Sequence, residues 1–65
     1  MQIFVNGEII QTEIIYLNLL LEELGYEGDW LATAVNSEVI SVDARRQFIL
    51  HEGDKIEILS PMQGG

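Results

Sequence analysis

The chain opens on a two-residue alternation that places Ile3 and Val5 on one face and Gln2 and Phe4 on the other, among residue types that favour extended backbone. Met1 to Val5 therefore predicts a strand. Asn6-Gly7 supplies the two positive φ angles of a type I′ turn, so a hairpin partner is expected to return over Glu8 to about Glu13. From Leu17 to Leu24 the period changes: Leu17, Leu20, Leu21 and Leu24 recur at helical spacing, and leucine, glutamate and asparagine replace the β-branched types. This predicts a helix of about two to three turns, with Glu22 and Glu23 in solvent. Gly25 suits the left-handed position that ends many helices. Ile14, Ile15 and Tyr16 fit either the end of the strand or the entry to the helix.

Tyr26 to Trp30, with Gly28 and Asp29, has no period and predicts a loop whose tyrosine and tryptophan fold back over the core. Leu31 to Val35 predicts a short buried strand, and Asn36-Ser37 turns it into a second one over Glu38 to Val42. Asp43 to Arg46 reads as a connecting turn, Gln47 to Leu50 as a further turn or edge strand, and Glu52-Gly53-Asp54 as a tight turn. Lys55 to Leu59 is the closing strand, with Ile56 and Ile58 inward and Lys55, Glu57 and Leu59 outward. Pro61 has no N–H for a ladder and drives Ser60 from the helical region, so pairing is expected to stop there. The expected organisation is a domain over residues 1–60 and a flexible diglycine tail over 61–65, with no internal repeat, linker or low-complexity segment. Burying the helix stripe on one sheet face gives an α+β domain, a mixed four- to five-stranded sheet packed on one helix. With the first and last strands adjacent and parallel, this is the β-grasp arrangement.

At 65 residues the chain can bury only ~60% of its unfolded surface, for a core worth no more than ~3 to 5 kcal/mol, and leaves no room for a deep catalytic cleft. Without cysteine there is no disulfide framework and no thiolate nucleophile, which fits a reducing compartment, by default the cytoplasm. No apolar run approaches the ~18 residues that cross a bilayer, and the N-terminus has no signal-peptide pattern, so a soluble protein is expected. Eleven acidic residues against Lys55, Arg45 and Arg46 give a net charge of -8, which repels phosphate backbones and anionic lipid surfaces. Neither nucleic acid nor membrane is an expected partner. The acidity serves solubility or steers the chain towards a basic partner surface.

Chemically active groups are few. His51, the only histidine, stands beside a turn with no serine, cysteine or carboxylate at a catalytic spacing, and reads as a surface residue. The carboxylates are scattered, with no metal-loop pattern, and no glycine-rich phosphate loop follows a strand. The group left is the α-carboxylate of Gly65, ionised at neutral pH and able to attack the α-phosphate of ATP held by another protein, giving an acyl-adenylate. Gly64 and Gly65 would pass through a narrow active site where any Cβ would collide. The competing reading is a frayed terminus without a role.

Five stretches stand in a recognisable order and spacing: Ile3-Phe4-Val5-Asn6-Gly7-Glu8, Leu20-Leu21-Glu22-Glu23-Leu24-Gly25, Ala34-Val35-Asn36-Ser37-Glu38-Val39-Ile40, Leu50-His51-Glu52-Gly53-Asp54-Lys55-Ile56-Glu57-Ile58 and Gly64-Gly65. Through them the chain resembles the ThiS family of sulfur carrier proteins, small β-grasp relatives of ubiquitin that serve thiamin (thiazole) biosynthesis. The resemblance implies that Gly65 is adenylated by an E1-like enzyme, ThiF, and that a cysteine-derived persulfide sulfur displaces the adenylate to leave a thiocarboxylate. The thiazole synthase ThiG would then receive the sulfur. On this reading the chain is a co-substrate and no enzyme. Gly65 carries the modification and Met62, Gln63 and Gly64 form the tail. ATP is used by the activating partner, and the chain itself binds no cofactor or metal.

Two departures stand out: Tyr16 occupies a helix entry where the family usually has threonine or serine, leaving Asn18 to cap, and Ser41 to Phe48 lacks the family's frequent proline and tryptophan. A MoaD-like carrier subunit of molybdopterin synthase shares the fold and tail, although such carriers are usually longer between the second strand and the helix. A ubiquitin-like modifier and a plain interaction domain are the remaining alternatives. Partner binding is expected on the outer sheet face, through an apolar patch of Phe4, Leu59 and Met62 beside the tail, and the chain alone is expected to be a monomer.

Overall fold

The computed structural model describes residues 1–26 and 30–60. Its five strands and one helix follow the order β1 (Gln2–Val5), β2 (Glu8–Gln11), α1 (Leu17–Glu23), β3 (Ala32–Val35), β4 (Glu38–Ile40) and β5 (Lys55–Leu59). They form one sheet in the order β2-β1-β5-β3-β4, with β1 and β5 parallel and every other neighbouring pair antiparallel. This is the β-grasp arrangement expected from the element order, and it puts the last strand at the centre of the sheet.

Both hairpins turn through two residues at positive φ, Asn6 (50°) with Gly7 (86°) and Asn36 (52°) with Ser37 (73°), as a type I′ connection requires. Only glycine adopts that geometry freely, so Ser37 strains the second hairpin. Ser37→Gly is therefore expected to stabilise the fold by up to ~1 kcal/mol, read as a higher midpoint in urea unfolding.

The inner sheet face and the helix share one core: Ile3, Leu17, Leu20 and Ile56 are fully buried, joined by Val5, Leu21, Leu31, Val35, Ile40, Leu50 and Ile58. The helix ends as Gly25 suggested. With Gly25 at φ 86°, its N–H donates to the Glu22 carbonyl (3.1 Å) and the Tyr26 N–H to the Leu21 carbonyl (2.9 Å), the paired bonds of a Schellman motif. That closure holds Tyr26 against the core. Trp30 does not join it: the side chain is 61% exposed, because Leu31 takes the buried place at the entry to β3. The expected covering role thus holds for the tyrosine alone, and residues 27–29 of the expected loop lie outside the described residues.

At its other end the helix starts from Tyr16 in extended backbone without a side-chain cap, so Asn18 does not have the capping role expected of it. The free N–H groups find main-chain partners instead: Leu17 donates to the Phe48 carbonyl (3.1 Å) and Asn18 to that of Arg45 (3.2 Å). Those carbonyls belong to a string of turns that begins sooner than expected, since β4 stops at Ile40 rather than Val42. Within it Arg45 is buried, its Nε donating to Thr33 Oγ1 (3.1 Å) and its Nη2 to the Leu31 carbonyl. One side chain and its own carbonyl thus tie the crossover to β3 and to the helix entry. Ile49 closes the segment with an isolated antiparallel bridge to Tyr16.

Candidate functional site

The strand that leads to the C-terminus alternates as its sequence predicts. Ile56 and Ile58 are buried, while Lys55, Glu57 and Leu59 are exposed. Two asparagines hold it, one from each hairpin. At its start the Asn36 N–H donates to the Lys55 carbonyl (2.8 Å), the Lys55 N–H donates to Asn36 Oδ1 (3.0 Å), and Asn36 Nδ2 donates to Asp54 Oδ1 (3.0 Å). Near its end the Ile58 N–H donates to Asn6 Oδ1 (2.8 Å) and Asn6 Nδ2 donates to the Ile58 carbonyl (3.3 Å). Each side-chain amide replaces main-chain groups that the tight turn has taken out of the ladder. The two hairpins share a pattern that the sequence reading missed: Val5-Asn6-Gly7-Glu8-Ile9-Ile10 returns as Val35-Asn36-Ser37-Glu38-Val39-Ile40. A short internal repeat therefore exists, and it marks both clamps.

Asp54 is nearly buried, with its carboxylate accepting the His51 N–H (2.8 Å) as well as Asn36 Nδ2. The His51 imidazole is exposed, with Nδ1 4.0 Å from Asp54 Oδ2. Aspartate and histidine here close the turn before β5. Among the described residues, no group of three histidine, aspartate or glutamate side chains could hold a metal ion, and no helix is long and apolar enough to cross a membrane.

Among the described residues, no helix covers the outer sheet face. Register places Ile9 and Phe4 side by side on β2 and β1, Lys55, Glu57 and Leu59 on β5, Ala32 and Ala34 on β3, and Val39 on β4. Phe4 and Leu59 share this face but are not neighbours. Phe4 stands beside Lys55, and Leu59 lies four residues further along β5, roughly 13 Å away at ~3.3 Å per residue. The companions of Leu59 are Ala32, Ala34 and Val39, which line one shallow depression with it, and Asn6 and Glu57 contribute to the same walls. Leu59 and Val39 are 72% and 79% exposed, the most open large apolar side chains described. Small residues on β3 make room for them, a signal present in Ala32-Thr33-Ala34 that a search for bulky residues passes over. Met62, Gln63, Gly64 and Gly65 lie outside the described residues.

The ThiS family model matches residues 3–65, all but the first two residues of the chain. The chain belongs to the ThiS family. As a member it is a small sulfur carrier protein and not a catalyst in its own right. Among solved structures, it is similar to the crystal structure of a thiamine biosynthesis protein (ThiS) from Geobacter metallireducens, with 26% identity, a TM-score of 0.83 and full coverage of both chains. An NMR solution structure of a thiamine biosynthesis protein from the same organism is similar too, with 26% identity, a TM-score of 0.81, and coverage of 100% of this chain and 88% of that one. No curated protein matches the sequence. The family match continues to Gly65, through the segment in which the site was expected.

Proposed function

We propose that this ThiS-family protein carries sulfur for thiamin biosynthesis on the carboxyl carbon of Gly65. What carries this reading is a family match that runs through the diglycine end of a chain without cysteine. The Gly65 carboxylate attacks the α-phosphate of ATP held by a ThiF-like enzyme, and pyrophosphate leaves. The terminal sulfur of a cysteine-derived persulfide then attacks the acyl carbon and AMP leaves. A second thiol attacks the donor's sulfur in the resulting acyl disulfide, forming a new disulfide with it and releasing the thiocarboxylate, which a ThiG-like thiazole synthase consumes. The reactions belong to the partners and take place in the cytoplasm, and this chain contributes the tail and the surface that docks it. Incubation with ATP, the activating enzyme and a persulfide donor is expected to replace one oxygen by sulfur, read by intact mass and placed at Gly65 by fragmentation. An unchanged mass would sink the proposal. Isopeptide conjugates on lysines of other proteins would indicate a ubiquitin-like modifier, and sulfur accepted by molybdopterin synthase but not by thiazole synthase would indicate a MoaD-like carrier.

Docking is assigned to the outer face, where Leu59, Val39, Ala32 and Ala34 expose apolar surface next to the exit of the chain and Phe4 stands further along the sheet. Leu59→Glu is expected to weaken binding to the activating enzyme by ~2 kcal/mol, since a charge would enter the middle of a desolvated patch. Phe4→Glu, half-buried and beside Lys55, is expected to cost less. Titration calorimetry that gave wild-type affinity for Leu59→Glu would exclude this face.

A further inference from the structure

Asn6 does more than turn the first hairpin. The main chain of β1 reaches β5 for the last time where the Asn6 N–H donates to the Ile56 carbonyl (2.9 Å). A regular parallel ladder would next bring the Asn6 carbonyl to the Ile58 N–H, but at φ 50° the chain is already turning. Asn6 Oδ1 accepts that N–H instead, and Nδ2 donates to the Ile58 carbonyl, so one side chain adds a further rung on the β1 side. Across β5, Ile58 is in register with Thr33 of β3. Both main-chain groups of Ile58 turn to Asn6, so pairing across to β3 passes to Glu57 and Leu59, in register with Ala34 and Ala32. The end of β5 is thus held on both sides just before Ser60 and Pro61, which has no N–H to extend a ladder.

We propose that Asn6 is a positioning residue for the chemistry at the C-terminus. By pinning Ile58 it fixes the place and direction from which residues 61–65 set out, and so the reach of Gly65 into the activating enzyme. This role rests on the sulfur-carrier reading above. Without the clamp, the end of β5 is paired towards β3 alone, through Leu59 and Ala32, and the enzyme must fix the main chain at Ile58 before the carboxylate meets the nucleotide. The penalty falls on formation of the reacting complex. Docking through Leu59 and Val39 is retained. Asn36 provides the internal control, because its Oδ1 accepts the Lys55 N–H at the opposite end of the strand as Asn6 Oδ1 accepts that of Ile58.

The test uses the full chain as wild type, Asn6→Gly, Asn6→Asp and Asn36→Gly; the glycines keep the positive φ and delete the clamps. Amide hydrogen exchange at Ile58 is expected to speed up about tenfold in Asn6→Gly and to stay near wild type in Asn36→Gly. With the adenylating enzyme, ATP and the carrier as varied substrate, pyrophosphate release is expected to lose about tenfold in kcat for Asn6→Gly with KM changed less than about twofold. Asn36→Gly should keep kcat within about twofold of wild type. Asn6→Asp keeps the turn and the acceptor but sets a carboxylate oxygen against the Ile58 carbonyl, and an intermediate loss is expected; it carries the test if Asn6→Gly does not fold. Equal losses in Asn6→Gly and Asn36→Gly, a change in KM alone, or an unimpaired Asn6→Gly chain beside an active wild type would each overturn the positioning role by itself. A wild-type chain that is never adenylated would overturn the sulfur-carrier reading, and this role with it.

Discussion

A chain shortened to end at Gln63 is expected to form no adenylate with a ThiF-like enzyme and ATP, while its urea unfolding stays within ~0.5 kcal/mol of the full-length protein. The new terminal carboxylate would fall roughly 7 Å short at ~3.5 Å per residue, and it would carry a glutamine side chain into a site that glycine is needed to enter. Since a misplacement of about 1 Å can cost a hundredfold in rate, a shift of two residues should abolish the reaction rather than slow it. Stability should be spared because the strand pairings and core residues described above all lie at or before Leu59. The measurement is pyrophosphate release together with intact mass. Adenylation of the shortened chain at the full-length rate would move the reaction centre away from Gly65, and retained function in the cell would support a plain interaction domain.

Leu20→Ala is expected to leave a large fraction of the protein unfolded at 25 °C. Leu20 is completely buried on the helix face that packs against the sheet, and truncating such a leucine costs ~3 kcal/mol in lost transfer energy and residual cavity. A core of this size supplies only ~3 to 5 kcal/mol in total, so the substitution consumes most of it. The urea midpoint should fall by about 2 M or more, and pyrophosphate release should fall with the folded fraction. Leu19→Ala, one position along the same helix but 45% exposed, should change stability by less than ~1 kcal/mol. Similar losses at the two positions would mean that the helix does not seat on the sheet by the leucine stripe.

Much of the fold is legible in local sequence. Asn6-Gly7 announces its hairpin because few dipeptides tolerate two positive φ angles, and Gly25 announces the helix end for a related reason. The closing strand reads correctly because one of its faces is buried and the other exposed, so its period is two. Local rules fail where the partner is distant in sequence. Arg45 looks like a surface charge in a turn, yet a turn that crosses under β3 brings its guanidinium to the Leu31 carbonyl and Thr33 Oγ1. Asn18 looks like a cap, yet the carbonyls of Arg45 and Phe48 arrive to satisfy the helix entry. Trp30 looks like core and is solvent-exposed because Leu31 takes the inner position.

The candidate site divides in the same way. The glycines at 64 and 65, the absence of cysteine, the inward and outward faces of β5 and the hairpin turns are properties of residues and their neighbours, and the sequence alone determined them. Only the tertiary structure decided that Leu59 shares its surface with Ala32, Ala34 and Val39 while Phe4 stands apart beside Lys55. It also decided that Asn6 reaches across more than fifty residues of chain to hold Ile58. Those relations depend on register between strands far apart in sequence, which is set by the packing of the whole core and is carried by no local pattern.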